Sequence, residues 1–168
     1  EYQTIVKSIE DSLNFLESIN GISASNLSTV DFYTSHEALH LHYEQALTRN
    51  IQGKWYNLST HLPWIGMRTA QLDSAHLEFF RGVENPIGIK IGPKASSEWL
   101  VKVLQQLNPQ QEEGRILLFT RLGAEQIEQL LPPLITAVQK TDCPVTWSCD
   151  PMHGNTESTV DGTKTRHF

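Results

Sequence analysis

The sequence predicts an α/β fold in which parallel strands alternate with helices, as in a (β/α)8 TIM barrel. Short apolar runs such as "IGIKIGP" and "RILLFTRLG" alternate with amphipathic segments such as "SSEWLVKVLQQLNP". These runs are apolar at nearly every position rather than at every second one, which indicates strands buried on both faces. Strands of this kind form parallel sheets covered by helices, so a βα barrel or a doubly wound sheet fits the pattern. The sequence has no GxGxxG or Walker A motif to mark a doubly wound sheet.

Composition narrows the class of protein. The chain has 168 residues, of which 39% are hydrophobic, and its net charge is −6. We therefore expect a domain with a real core and no general attraction for nucleic acid or for a membrane surface. The apolar runs are shorter than a membrane span, and "EYQTIVKSIEDSLNFLESI" is typical of an amphipathic helix, so we expect a soluble, cytoplasmic protein. Cys143 and Cys149 lack zinc-site spacing and are expected to be reduced.

The order of elements predicts a single partial βα-barrel domain over residues 1–168. Residues 1–29 form a leading helix that ends at Asn20-Gly21, and residues 30–168 form successive βα units. The apolar face of the leading helix consists of Ile5, Ile9, Leu13, Leu16 and Ile19.

The βα units begin with a strand at 30–33 and a helix at 37–47 that places Leu39, Tyr43 and Leu47 on one side. "NIQGKWYNLSTHLPWIG" is predicted to be a loop until its last residues. The predicted elements that follow are, in order, a helix that stops at Gly82, the strand "IGIKI", a helix capped by serine, the strand "RILLF", a helix interrupted by Pro132-Pro133 and the strand "VTWSC". That gives about four of the eight strands of a barrel, or half of the fold.

Cations at the strand ends point to an anionic ligand. Lys90 lies inside "IGIKIG", Arg121 follows "ILLFT", and Arg68 follows the "WIG" turn. A lysine among isoleucines is costly to bury unless an anion or an acid compensates it. One alternative is a structural lysine that reaches a carboxylate at the barrel rim. Because barrel active sites gather at the C-terminal ends of strands, three such cations favour a small, multiply anionic ligand.

His153, Lys164 and Arg166 lie beyond the last strand. An imidazole next to a strand end suits a divalent transition metal, although a histidine beside Gly154 is also typical of a capping or packing role. Lys164 and Arg166 either lie in a solvated basic loop or bind a second phosphate.

Seven blocks of the sequence, in this order, resemble one known family. They are "SHEAL", "WIGMRTAQLDSAH", "NPIGIKIGP", "GRILLFTRLG", "LPPLI", "WSCDPMHGNT" and "KTRHF". They are similar to the type II (plant-like) 3-deoxy-D-arabino-heptulosonate 7-phosphate (DAHP) synthases. That family is a βα barrel that condenses phosphoenolpyruvate with erythrose 4-phosphate in the first step of the shikimate pathway toward aromatic amino acids. The resemblance therefore implies a metal-dependent transferase.

The resemblance also implies roles for individual residues. Arg68, Lys90 and Arg121 match the catalytic cations that bind phosphoenolpyruvate, and His153 matches a metal-ligand histidine. Lys164 and Arg166 match positions near the erythrose 4-phosphate. The cofactor is a divalent metal, with Mn, Co, Mg and Zn all open. The family's other metal ligands, a cysteine, a glutamate and an aspartate, are expected outside these 168 residues, so we expect no catalysis from them alone.

Two positions depart from the family pattern. Met67 stands where the family usually has an acid, and Ala70 stands where it usually has an arginine. They motivate an alternative, a catalytically silent or specialised-pathway homologue that binds phosphoenolpyruvate or a partner chain without turnover. An unrelated barrel aldolase is a third interpretation. Half a barrel also leaves strand edges along which chains can associate, and we expect a homo-oligomer.

Overall fold

The fold is taken from a computed structural model that describes residues 2–20 and 32–166. The chain divides into two compact units, residues 1–33 and residues 34–168. The helices are α1 (Tyr2–Asn20), α2 (Leu41–Ala46), α3 (Ala75–Arg81), α4 (Ser97–Leu107) and α5 (Ile127–Gln139). The strands are β1 (Ser35–Glu37), β2 (Thr48–Ile51), β3 (Lys54–Asn57), β4 (Leu62–Ile65), β5 (Ile87–Ile91), β6 (Ile116–Thr120), β7 (Thr146–Cys149), β8 (Glu157–Ser158) and β9 (Lys164–Thr165).

The first unit contains the predicted leading helix. Helix α1 covers Tyr2–Asn20 within this segment, and its side chains Ile5 and Ile9 are exposed. The side chains of Leu16 and Ile19 and the predicted stop at Gly21 lie outside the described residues. Within residues 2–20 and 32–166, no helix combines the length and apolar character needed to cross a membrane.

The second unit is built on a parallel sheet of five strands in the order β1-β4-β5-β6-β7. The strand order follows the chain without reversal, which is consistent with part of a βα barrel. Two short antiparallel hairpins, β2-β3 and β8-β9, stand apart from this sheet. The predicted α/β class and the parallel sheet are confirmed.

The two faces of the sheet have different chemistry because side chains alternate along each strand. In β5, Ile87, Ile89 and Ile91 are fully buried and belong to the main hydrophobic cluster, whereas Gly88 and Lys90 point to the opposite face. The cluster also contains these side chains from the helices and from β6: Leu77, Phe80, Leu100, Val103, Leu104, Leu107, Ile116, Leu118, Leu134 and Val138. The helices therefore cover one face, and the other is left for the site.

Several predicted boundaries are wrong. Strand β1 is the polar segment Ser35–Glu37, whereas Phe32 and Tyr33 are exposed and are not in a strand. The helix predicted from residue 37 begins at Leu41, and Leu39 and Tyr43 are exposed while Glu44 faces inward. Parallel pairing of β1 with β4 overrides the local propensity of a polar sequence.

The segment predicted to be a loop contains the hairpin β2-β3 before β4. Its turn is made by Gln52 and Gly53, both with positive φ, which suits the twist of a two-residue hairpin. The sequence estimate of four strands is therefore too low, since the main sheet alone has five.

Helix α5 runs through Pro132 and Pro133 rather than being interrupted by them. The fixed φ of proline is helical, and the carbonyls that lose an N–H partner belong to Glu128 and Gln129. Both residues are exposed, so water can satisfy those carbonyls.

A buried polar cluster fastens the hairpin to the sheet. The Glu44 side chain is 2% exposed. It accepts hydrogen bonds from Asn57 Nδ2 at 2.8 Å and Ser59 Oγ at 2.6 Å, and His36 Nε2 lies 2.8 Å from its other oxygen. One carboxyl group thus joins α2, β3, β1 and the segment after β3.

We expect Glu44→Ala to lower the free energy of unfolding of the full-length protein by about 3 kcal/mol, because it leaves buried polar partners unpaired. Urea unfolding followed by fluorescence measures this. Glu128→Ala, at an exposed position of α5, is the control and should change the stability by less than about 0.5 kcal/mol. Equal effects of the two substitutions would show that the cluster does not stabilise the fold.

Candidate active site at the strand ends

The candidate site lies on the sheet face opposite the helices. Register pairs Glu37 with Trp64, Trp64 with Gly88, and Lys90 with Phe119, so these side chains share one face. Arg121 and Asp150 follow on the same face by alternation, just past the ends of β6 and β7. The pairing continues there, since the Arg121 N–H donates to Ile91 O at 2.9 Å and the Asp150 N–H donates to Thr120 O at 2.8 Å. The strand ends thus bring Lys90, Arg121 and Asp150 to one edge of the sheet.

Lys90 is held between two aromatic rings and one carboxylate. Its Nζ lies 5.3 Å from the ring centre of Trp64 and 5.0 Å from that of Phe119, and it donates to Asp150 Oδ2 at 2.9 Å. The rings stabilise the ammonium through their negative faces. Gly88 makes this arrangement possible, because a Cβ there would overlap the Phe119 ring and lie 2.8 Å from Trp64 Cβ.

Asp150 links Lys90 to His153. His153 Nδ1 lies 2.8 Å from Asp150 Oδ2, and the backbone N–H groups of Met152 and His153 donate to Asp150 Oδ1, each at 3.1 Å. Burial alone would raise the pKa of the Asp150 carboxyl, but the hydrogen bonds from Lys90, His153 and Met152 hold that pKa well below its usual value. An ionised carboxylate only accepts, so His153 Nδ1 carries the proton in this pair.

Arg121 brings a second cation to the same edge. Its Nε is buried and has no hydrogen-bond partner in the part of the chain that the structure describes. A buried guanidinium nitrogen without a partner is uncommon and calls for an acceptor such as an oxyanion.

The loops after β6 and β7 are packed directly against each other beside Arg121. Gly123 and Gly154 both have positive φ, and a Cβ at Gly154 would lie 2.8 Å from Gly123 N. The Ala124 N–H also donates to Asn155 Oδ1 at 2.8 Å. Only glycine fits this approach, which fixes the loop of His153 next to the loop of Arg121.

Arg68 lies in the loop after β4 and is exposed, and its side chain makes no hydrogen bond or ion pair with residues 2–20 or 32–166. The structure therefore does not join it to Lys90 through protein contacts. Next to it, the Met67 thioether packs over Gly92 at the end of β5. Ala70 is buried in the core, and its carbonyl accepts from Trp99 Nε1 at 2.9 Å.

Lys164 and Arg166 differ in their placement. Lys164 is exposed in β9, and its side chain makes no polar contact with a described residue. Arg166 is half-buried, and its Nε donates to Met152 O at 3.0 Å. Arg166 is thus brought to the loop of His153, and Lys164 is left in solvent.

The fit to a metal ion rests on His153. With Nδ1 turned to Asp150, Nε2 keeps its lone pair in the neutral ring and can ligate a metal, as in carboxylate–histidine–metal arrangements. Within residues 2–20 and 32–166, however, no three His, Cys, Asp or Glu side chains are grouped to hold an ion. Cys143 is buried, Cys149 is exposed, and both are free thiols, as expected.

Sequence reasoning missed four members of this site: Asp150 as the partner of Lys90, the flanking rings Trp64 and Phe119, and Glu37, whose carboxyl lies over Gly66. Glu37 and Asp150 stood inside quoted motifs, but nothing in the spacing says which cation an acid will meet. A cavity of about 980 Å³ between α4 and α5 has none of the predicted site residues in its lining. We place the site at the strand ends because the converging charges are there.

Comparisons with known proteins show the family of this chain. Over residues 1–168 the chain matches the class-II DAHP synthetase family. It is 43% identical to the phospho-2-dehydro-3-deoxyheptonate aldolase of Neurospora crassa, covering 100% of this chain and 39% of that protein. It is 44% identical to the enzyme of that name from Mycolicibacterium smegmatis, covering 99% of this chain and 37% of that protein.

A plant relative gives the same result. The chain is 46% identical to the probable chloroplastic phospho-2-dehydro-3-deoxyheptonate aldolase of Catharanthus roseus, covering 99% of this chain and 34% of that protein. The chain therefore spans between a third and two fifths of the length of these relatives. Because the family model matches residues 1–168 and these relatives are 43–46% identical over nearly the whole chain, the chain belongs to the class-II DAHP synthetase family.

Proposed function

We propose that the full-length protein condenses phosphoenolpyruvate with erythrose 4-phosphate, giving 3-deoxy-D-arabino-heptulosonate 7-phosphate and inorganic phosphate. This is the first step of the shikimate pathway. The observation that carries the proposal is the buried Nε of Arg121, which has no hydrogen-bond partner among the described residues and lies on the face that also presents Lys90. The relatives named for this activity and the strand order of a βα barrel support it further. We infer that this sheet is about half of such a barrel and that the enzyme is a homo-oligomer.

Phosphoenolpyruvate suits this edge because it carries a carboxylate and a phosphate. The Lys90 ammonium has three N–H donors, and one of them is used by Asp150. The Arg121 guanidinium offers a planar fork that matches either anionic group in a bidentate way. Arg68 is exposed after β4 and is available to close on the same ligand.

The reaction asks the protein mainly for positioning and charge stabilisation. C3 of phosphoenolpyruvate attacks the aldehyde carbon of erythrose 4-phosphate, a C–C bond forms, and the aldehyde oxygen takes up a proton. Water then adds at C2, and inorganic phosphate leaves as the C2–O bond breaks. Lys90 and Arg121 hold the enol phosphate in place while its charge redistributes.

The second phosphate is assigned to the β8-β9 side of the site. Arg166 donates through Nε to the Met152 carbonyl, which leaves its terminal N–H groups for a ligand beside the loop of His153. Lys164, exposed on β9, can add a point charge to the same phosphate.

His153 is assigned as a metal ligand through Nε2, since Asp150 fixes its ring through Nδ1. A divalent metal, when bound, supplies Lewis-acid polarisation of the aldehyde carbonyl.

We expect Lys90→Ala to lower phosphate release by the full-length protein at least about 100-fold, because it removes a charge placed at the reacting centre. Activity is measured with both substrates and each of Mn, Co, Mg and Zn. Lys102→Ala, an exposed lysine paired with Glu98 on α4, is the matched control and should keep the activity. Circular dichroism of both variants checks the fold.

Two results would contradict this assignment. Near wild-type turnover of Lys90→Ala would show that Lys90 is structural. Calorimetric binding of phosphoenolpyruvate by the wild type without phosphate release under any of the four metals would identify a silent homologue instead.

We expect Gly88→Ala to weaken phosphoenolpyruvate binding and to cost about 1–3 kcal/mol of stability, because the new Cβ pushes apart the Trp64 and Phe119 rings that flank Lys90. Calorimetry and thermal unfolding measure the two effects. Gly82→Ala is the control, since a Cβ there meets only an ordinary contact of 3.5 Å with Phe79 O. Unchanged ligand affinity in Gly88→Ala would mean that the rings do not position Lys90 for the ligand.

A further inference from the structure

Asp150 is the point at which two parts of the site meet. Its Oδ2 is shared by Lys90 Nζ at 2.9 Å and His153 Nδ1 at 2.8 Å. Lys90 belongs to β5, and Asp150 and His153 belong to the loop after β7. The contact between Lys90 and Asp150 therefore crosses the intervening strand β6. A single oxygen therefore connects the residue assigned to phosphoenolpyruvate with the residue assigned to the metal.

The carboxylate is held rigidly, so it can transmit a change from one partner to the other. Its Oδ1 accepts from two successive backbone N–H groups, those of Met152 and His153. Its own N–H is tied to Thr120 O, and the Asp150 side chain is 10% exposed. The Lys90 and His153 side chains, at 18% and 49% exposure, are the parts of the cluster with more freedom to respond to a ligand.

We propose that Asp150 is a positioning residue that couples metal binding at His153 to phosphoenolpyruvate binding at Lys90. The inference rests on the proposed function, because the roles of those two residues do. An arriving anion draws the Lys90 ammonium away from Asp150, and the carboxylate then interacts more strongly with the His153 N–H. An imidazole with a stronger acceptor at Nδ1 is a better metal ligand at Nε2. The coupling is therefore positive, and it is the same in both directions because binding free energies are linked.

Asp150→Asn tests the bridge selectively. The asparagine Oδ1 can still accept from the Met152 and His153 backbone, so the turn is kept. Its Nδ2 only donates and cannot replace Oδ2 as the acceptor for Lys90 and His153. Asp142→Asn is the matched control, because it makes the same change of charge at an exposed position with φ of 54°, which asparagine tolerates.

The measurements are binding titrations on the full-length protein. Mn²⁺ affinity is followed by the electron paramagnetic resonance of free Mn²⁺, with and without phosphoenolpyruvate, and phosphoenolpyruvate affinity is followed by calorimetry, with and without saturating Mn²⁺. In the wild type and in Asp142→Asn, each ligand should tighten the other at least about fivefold. In Asp150→Asn, Mn²⁺ affinity should fall about 10- to 100-fold. The factor by which each ligand tightens the other should also fall, because only the direct electrostatic attraction between the metal ion and phosphoenolpyruvate remains to couple them.

The outcomes separate this inference from the proposed function. A wild type that binds neither Mn²⁺ nor phosphoenolpyruvate overturns both. A wild type that binds both ligands independently overturns the coupling alone, without need of any variant. If Asp150→Asn keeps the wild-type Mn²⁺ affinity and coupling, the role of Asp150 in the coupling is likewise overturned, and the proposed function is not.

Discussion

The ion pair between Lys90 and Asp150 is the interaction on which the site depends. Strand β5 places the Lys90 ammonium on the face opposite its isoleucines, where the side chain is 18% exposed, and Asp150, just past the end of β7, supplies the carboxylate that compensates it. Two rings complete the surroundings of the cation, and two backbone N–H groups complete those of the anion. Because the partners are 60 residues apart in sequence, the pair forms only once three neighbouring strands are in register.

Such a pair is an unfavourable way to stabilise a sheet. A partly desolvated ion pair roughly breaks even against a packed apolar pair, and removal of one partner leaves a costly unpaired charge. On the opposite face of β5, Ile87, Ile89 and Ile91 pack against the helices, and this packing stabilises the sheet without desolvating a charge. A chain that retains charge on one face and isoleucine on the other is best explained by a ligand that needs the charge. Arg121 on the same face, whose buried Nε has no hydrogen-bond partner within residues 2–20 and 32–166, points the same way.

The sequence predicts those features of the fold and the site that depend on the residues of a single strand or helix. An apolar run of five residues with a lysine in it predicts both a buried strand and a charge near its end, and β5 has both. The sequence does not predict features that depend on contacts between residues far apart in the chain. Ser35–Glu37 is polar and becomes a strand only because β4 pairs with it, and Glu44 is buried only because the hairpin and β1 supply partners for its carboxyl. Asp150 was visible at a strand end, but its role as a bridge follows from register, which no local pattern encodes.

Met67 and Ala70 depart from the family pattern beside the charge cluster of the site. Met67 lays its thioether over Gly92, so the loop after β4 is packed to the end of β5 by an apolar contact. Ala70 is 2% exposed and lies in the core, and Trp99 donates to its carbonyl. Both replacements are thus accommodated by local packing, and neither opens the strand ends on which Lys90, Arg121 and His153 depend. The changes therefore alter the polarity next to the proposed phosphoenolpyruvate site and leave its cations in place.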